Sequence, residues 1–285
     1  MMVAGGDTSP SGGASPRPTA DLVVAGAAGR MGGRLIACLA DTPELRLVAA
    51  LEAPGHASLG RDAGELAGVG KLGVAVGDDA GLAVTRDRIL IEFSVPEASL
   101  AHLRLAAQSG ARAVIGTTGF SPSQRAEIVD LARRTAIVLS PNMSVATNVA
   151  FKLLASMARA LGDEYDVEIT ETHHRFKKDA PSGTALHMAE IVAGALGRDL
   201  GRVAVYGRQG VPGERPKQEI GILSLRSGDV VGEHTVSFGT LGERIELVLK
   251  AHSRDTFARG ALRGARFVAG RAPGLYSMAD VLGLA

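Results

Sequence analysis

The chain has 285 residues, 46% of them hydrophobic, which suffices for a sizeable core and for two domains and excludes disorder of the whole. Its 31 basic and 30 acidic residues leave a net charge of +1, so nothing in the overall charge points to nucleic acid or an anionic membrane, and any positive patch must be local. A single cysteine, Cys38, excludes an intramolecular disulfide and a cysteine-rich metal site, and no apolar run approaches the roughly 18 residues that a membrane span needs.

Residues 1–19 are rich in Gly, Ser, Pro and Thr and contain no apolar core. They are expected to form a disordered tail rather than a secretory signal, and the expected location is the cytoplasm. Residues 21–26 then form an apolar strand that runs into the turn Gly26, Ala27, Ala28, Gly29, Arg30, Met31, Gly32, followed by a helical pattern over 33–40. Strand, glycine turn and helix in this order make a pyrophosphate site, because the turn brings backbone close to the ligand and the helix start offers free N–H groups. The spacing is G-x-x-G-x-x-G, so the glycines alone are weak evidence. A second strand over 45–51 strengthens them. It ends at Glu52, where an acid can hydrogen-bond the ribose hydroxyls of a dinucleotide.

Residues 53–81 read as an irregular, glycine-rich loop. Strands follow at 89–94, 113–116 and 137–139, with helices over 96–107 and from Ser121, where Gln124 completes a capping box. Strands alternating with helices predict a doubly wound, Rossmann-like α/β unit with a parallel sheet. Its ligands bind at the carboxyl ends of the strands. Gly26 to Met31, Glu52, Ser94 to Pro96, the stretch Gly116, Thr117, Thr118 and the stretch Ser140, Pro141, Asn142, Met143 all fall at such ends.

A long helix over 145–161 leads into the second half. There a half-buried strand over 165–171 opens into Glu171-Thr-His-His-Arg-Phe-Lys177 and then Asp179-Ala-Pro-Ser-Gly-Thr-Ala185, the start of another helix. Ser182 and Thr184 are capping types, and a helix start beside Arg175, Lys177 and Lys178 suits an anion. Histidine supplies a proton donor near neutral pH. A solvated basic loop with one core histidine would explain a lone His, but the cluster favours a site for a small carboxylated substrate. Glycine-punctuated strands at 220–226, 230–231, 233–238 and 243–250 predict an open antiparallel or mixed sheet on two helices, an α+β domain whose bare face a second subunit would cover. A helix over 256–268, a turn over 271–274 and a terminal helix over 277–284 complete the chain.

The motifs Gly26-Ala-Ala-Gly-Arg-Met-Gly32, Gly116-Thr-Thr-Gly-Phe120, Glu171-Thr-His-His-Arg-Phe-Lys177, Asp179-Ala-Pro-Ser-Gly-Thr-Ala185 and Gly232-Glu-His234 resemble those of the dihydrodipicolinate (4-hydroxy-tetrahydrodipicolinate) reductases. The resemblance spans nearly all of the chain after residue 20. It implies an NADH- or NADPH-dependent reductase acting on a cyclic imine dicarboxylate in diaminopimelate and lysine biosynthesis. By position it implies that His173 is the acid/base and Lys177 a proton donor, that His174 is a substrate ligand, and that Gly183 and Thr184 bind a carboxylate. For the cofactor it implies Gly26 to Met31, Glu52, Gly116 to Thr118 and Ser140 to Met143. It also implies a homotetramer, with a dinucleotide domain at 20–144 completed by 254–285 and a substrate and oligomerisation domain at 145–253. Many relatives carry Arg after the ribose acid, where this chain has Ala53, so the choice between NADH and NADPH stays open. No metal-ligand spacing is present. Two rivals are another two-domain amino-acid dehydrogenase, against which the His-His-x-x-Lys run speaks, and a non-catalytic dinucleotide sensor, against which the proton donors speak.

Overall fold

The computed structural model describes residues 20–284. The tail expected at 1–19 lies outside the described residues. In chain order the elements are β1 (Ala20–Ala25), α1 (Arg30–Cys38), β2 (Leu45–Leu51), α2 (Ala63–Ala67), β3 (Val76–Gly77), α3 (Ala80–Ala83), β4 (Arg88–Glu92), α4 (Pro96–Ser109), β5 (Arg112–Ile115), α5 (Pro122–Leu131) and β6 (Ala136–Leu139). Then come α6 (Val145–Leu161), β7 (Asp166–His173), α7 (Gly183–Ala195), α8 (Leu200–Val203), β8 (Ala204–Val205), β9 (Ile220–Arg226), β10 (Gly232–Thr240), β11 (Glu243–Ala251), α9 (Asp255–Ala269), β12 (Gly274–Tyr276) and α10 (Met278–Leu282).

Seven strands form a parallel sheet in the order β12-β6-β5-β4-β1-β2-β3. Its strands are apolar on both faces because helices cover both. Along β1, Leu22 and Val24 join the core under α1 and α9, while Val23 and Ala25 join the opposite core under α4 and α5. The strand order reverses between β1 and β4, the position where an open parallel sheet leaves a crevice for its ligand. Cys38 is buried in the first of these cores.

The second sheet has five strands in the order β11-β10-β7-β9-β8, with β7, β8 and β9 parallel and β10 antiparallel to both neighbours. One face packs Val167, Ile169, Ile222, Val236 and Phe238 against Leu154 of α6 and Met188 and Val192 of α7. Among the described residues the other face carries no helix, and it exposes Leu225 and Val248 to 52% and 51%.

Three local expectations change. The stretch 53–81 is built rather than irregular: the Asp62 carboxylate accepts from the backbone N–H of Gly64, Glu65, Leu72 and Gly73, which fastens α2 to the turn that precedes β3. Residues 230 and 231 lie in the turn before β10 rather than in a strand. The turn expected at 271–274 ends in β12, which pairs parallel with β6 and extends the first sheet. Only three residues long, β12 offers no alternation for a sequence reading to detect.

Candidate active site

At the β1–α1 turn Gly26 adopts φ +68°, a conformation open to glycine. A Cβ at Gly32 would stand 2.1 Å from the Gly26 carbonyl oxygen, so only glycine lets α1 approach the turn this closely. Glu52, at the end of β2, reaches across to accept from the Ala28 N–H at 2.8 Å. Glu52 and the glycine turn therefore share one edge of the sheet. At the end of β5, the Thr117 hydroxyl is buried with no hydrogen-bond partner among the described residues. Across β4, Phe93 fills the space that a side chain at Gly116 would need.

A cleft of about 950 Å³ separates this edge from the second sheet. On one side it is lined by Met31, Gly116, Thr118 and the connecting loop Pro141, Asn142 and Met143; on the other by His173, Lys177, Asp179, Ser182, Gly183 and Thr184. The Asn142 amide donates to the Thr184 hydroxyl at 3.2 Å, tying the loop to the start of α7. Ser182 caps that helix, its hydroxyl accepting from the Ala185 N–H at 3.1 Å. The remaining free N–H groups of the first turn, at Gly183 and Thr184, stand at the cleft wall, where they suit a carboxylate.

The core face of β7 runs Val167, Ile169, Glu171, His173, so the alternation that fills the core with apolar groups delivers two ionisable ones at its end. Glu171 is fully buried. It accepts from His173 Nδ1 at 2.6 Å, from both terminal nitrogens of Arg226 at 2.9 Å and from the Ser182 N–H at 3.1 Å. Burial opposes its ionisation, but the hydrogen bonds from Arg226, His173 and Ser224 outweigh it and hold the carboxyl down at about 2. Burial lowers His173 below the usual imidazole range against the pull of Glu171. Its neighbour His234, bonded to the Ser182 hydroxyl at 2.9 Å, is pushed down to about 4, by burial first and then by His173. Lys177 Nζ meets both Asp179 oxygens at 2.9 Å, and this bond holds the Asp179 carboxyl below its ordinary range although partial burial works the other way.

Of the residues singled out in the sequence, the cleft brings together His173, Lys177, Gly183, Thr184, Met31, Gly116, Thr118, Pro141, Asn142 and Met143. Gly26, Ala27, Ala28, Gly29, Arg30 and Glu52 sit further along the same sheet edge, and Thr117 and Ser140 are buried behind it. His174 is not among the lining residues: its ring packs on Phe176 and its Nδ1 is buried without a partner. Glu171, Ser182 and His234 stand in the sequence motifs without an assigned role in catalysis or binding, and Arg226 stands in none; hydrogen bonds join all four into one network with His173. A signal for Glu171 was present, since an acid two positions before a histidine on one strand shares its face.

A parallel sheet with a glycine turn at its edge, facing a histidine, a lysine and a helix start across one cleft, is the frame of a two-domain nicotinamide-dinucleotide oxidoreductase. Residues 20–143 match the family described as dihydrodipicolinate reductase, N-terminus, and residues 146–282 match dihydrodipicolinate reductase, C-terminus. The 4-hydroxy-tetrahydrodipicolinate reductase of Geobacter sulfurreducens is 53% identical over 263 residues, covering 92% of this chain and 98% of its own. That of Citrifermentans bemidjiense is 52% identical with the same coverage. This chain belongs to the dihydrodipicolinate reductase family. Its fold is also that of the dipicolinate-bound dihydrodipicolinate reductase from Paenisporosarcina sp. TG-14, with TM-score 0.69 and 23% identity over 92% of this chain and 98% of the other.

Proposed function

We propose that this chain reduces 4-hydroxy-tetrahydrodipicolinate to tetrahydrodipicolinate with NADH or NADPH, a step of diaminopimelate and lysine biosynthesis. The observation that carries this reading is the shared cleft of His173, Lys177, Gly183 and Thr184 with Met31, Gly116 and Thr118. The dinucleotide fits the residues present: Gly26 to Met31 would hold its phosphates, Glu52 a ribose, and the unpartnered Thr117 hydroxyl marks a polar demand at the nicotinamide end. When bound, the reduced nicotinamide supplies the hydride.

The chain's own residues do the rest. The N–H groups of Gly183 and Thr184 hold one substrate carboxylate, and Lys177, which lines the same cleft, balances its charge. The 4-hydroxyl leaves as water together with a proton from the carbon between it and the imine; hydride then adds at the carbon that held the hydroxyl, and the electron-rich enamine so formed must take up one proton on that neighbouring carbon. With Nδ1–H committed to Glu171, His173 offers Nε2 for that exchange, and Lys177 is the neighbouring ammonium that can replenish it. A dianionic substrate raises the proton affinity of His173 and so offsets the lowering that burial imposes. Ser140 to Met143, between β6 and α6, are positioned to report cofactor binding to Thr184 through Asn142.

This reading divides the chain into a dinucleotide domain at 20–144 completed by 254–285 and a substrate and oligomerisation domain at 145–253, assembled as a homotetramer through the bare sheet face. Among the described residues no helix is long and apolar enough to cross a membrane; the proposed location is the cytoplasm. The test is oxidation of NADH or NADPH started with the freshly made condensation product of aspartate semialdehyde and pyruvate. Turnover of that product, with none on a panel of amino acids and 2-oxo acids, is the expected result. Cofactor binding without turnover would point to a dinucleotide sensor instead.

A further inference from the structure

We propose that Arg226 and Glu171 are positioning residues for proton transfer: their buried pair fixes the tautomer and orientation of His173 and, through the same atoms, fastens the loop that carries Lys177. This rests on the assignment of His173 to proton transfer given above.

The geometry is continuous. Glu171 and His173 leave the same face of β7, and the Arg226 guanidinium comes from β9, where Arg226 pairs with His173 in the strand register. Glu171 Oε2 accepts from His173 Nδ1 and from one terminal nitrogen of Arg226; Oε1 accepts from the other and from the Ser182 N–H. That second nitrogen also donates to the Asp179 carbonyl at 2.7 Å. One planar fork thus reaches the imidazole, the residue paired with Lys177 and the cap of α7. An ionised carboxylate only accepts, so the proton at its bond to His173 must sit on Nδ1, leaving Nε2 as the exchanging nitrogen. Stability alone is a poor reason for such a pair, because the cost of taking two charges out of water is repaid only when every bond is made. Here the bonds made are the ones that build the site.

The charges facing His173 are Glu171 on its own strand, Arg226 on β9, and Lys177 and Asp179 in the loop; His234 on β10 is neutral. Glu171 favours the imidazolium, whereas Arg226 and Lys177 oppose it. The two members of the pair therefore act on His173 with opposite sign, which a purely structural role does not reproduce.

The experiment is the pH profile of kcat/KM, reading the limb that disappears in His173→Gln. Glu171→Gln should move that limb to lower pH and Arg226→Gln to higher pH, each with kcat reduced about ten- to a hundredfold and NADH affinity unchanged. Arg226→Lys keeps the charge but not the fork, so its limb should stay in place while kcat falls. Circular dichroism establishes which variants fold. If the Gln variants do not, nitrogen-15 NMR of wild-type His173 decides: a proton on Nδ1 with Nε2 bare supports the inference, and the opposite tautomer overturns it. Limbs that stay put or move the same way, with kcat still lost in His173→Gln, would overturn this inference alone. Native kcat in His173→Gln would overturn the proton-transfer assignment beneath it.

Discussion

Gly232 lies against the His173 ring: a Cβ on Gly232 would stand 3.0 Å from His173 Nε2 and 3.4 Å from its Cδ2. The glycine at the start of β10 is thus part of the bed on which the imidazole rests, opposite the carboxylate that grips its other nitrogen. In Gly232→Ala the ring must give by a few tenths of an ångström, which strains its bond to Glu171. The expected result is a several-fold fall in kcat, smaller than the ~10²-fold that a full 1 Å misplacement can cause, with NADH binding unchanged. Steady-state kinetics and fluorescence titration of NADH check it.

Proton transfer and substrate binding separate in two further variants. His173→Gln should depress kcat by ~10²–10⁴-fold, the usual contribution of a general acid or base, and raise substrate KM far less. If the Lys177 ammonium both supplies a proton and holds a carboxylate, as proposed, Lys177→Ala should damage kcat and KM together. Near-native kcat in both variants would return these residues to an ordinary basic loop.

Cofactor choice follows from Glu52. Its carboxylate already reaches the Ala28 N–H at 2.8 Å, and Ala53 follows it where a cation would be needed for a 2′-phosphate. NADH should be used at least as well as NADPH. The measurement is kcat/KM for both at one ionic strength; a tenfold preference for NADPH would mean that another cation, such as His56 or Arg61, supplies the missing contact.

Acid should destabilise the fold in two stages. The His234 imidazole ionises at about 4 in the folded chain against an ordinary 6.5, so its contribution is full above 6.5 and is lost as pH falls from there toward 4. Glu171, at about 2 against an ordinary 4.5, contributes fully above 4.5 and loses that as pH falls toward 2. Each stage is worth roughly 3 kcal/mol. Thermal unfolding from pH 8 to pH 3 should show Tm declining already below pH 6.5, and His234→Gln should shrink the first stage, to which the lowered His173 also contributes, while leaving the second.

The bare face of the second sheet leads to an assembly prediction. Leu225 of β9 and Val248 of β11 are half exposed on the face that also carries Thr170, Thr172, Thr235 and Ser237. Burying that face between copies should give a homotetramer. Light scattering that returns a monomer mass across micromolar concentrations would refute it.

Much of this architecture was legible in the sequence, and the exceptions have physical causes. The β1–α1 glycine turn, the capping box at Ser121 and Gln124, the full length of α6 and the strand at 220–226 are local patterns, and the structure has them where the residues put them. The α2–β3 segment was hidden because its organiser is one carboxylate, Asp62, acting across ten residues of loop rather than through any periodicity. The site was half legible for the same reason. His173 and Lys177 stand in one short motif, but Arg226 and His234 reach them from β9 and β10, and only strand register says that Arg226 lies beside His173 and His234 beside Glu171.

The placement of β12 has a consequence for how the protein is made. The β6 edge of the first sheet is closed by residues 274–276, synthesised only after the whole second sheet. Until then a growing chain holds its complete nucleotide turn yet presents an unpaired strand edge, and the sheet face meant for α9 lacks Ala258, Ala261, Leu262, Ala265 and Val268. Such an edge beside such a face is a template for pairing with another nascent chain. A product truncated at residue 253 should therefore be recovered as aggregate rather than as a free nucleotide-binding module, and the molecule's exposure to misassembly is greatest late in translation.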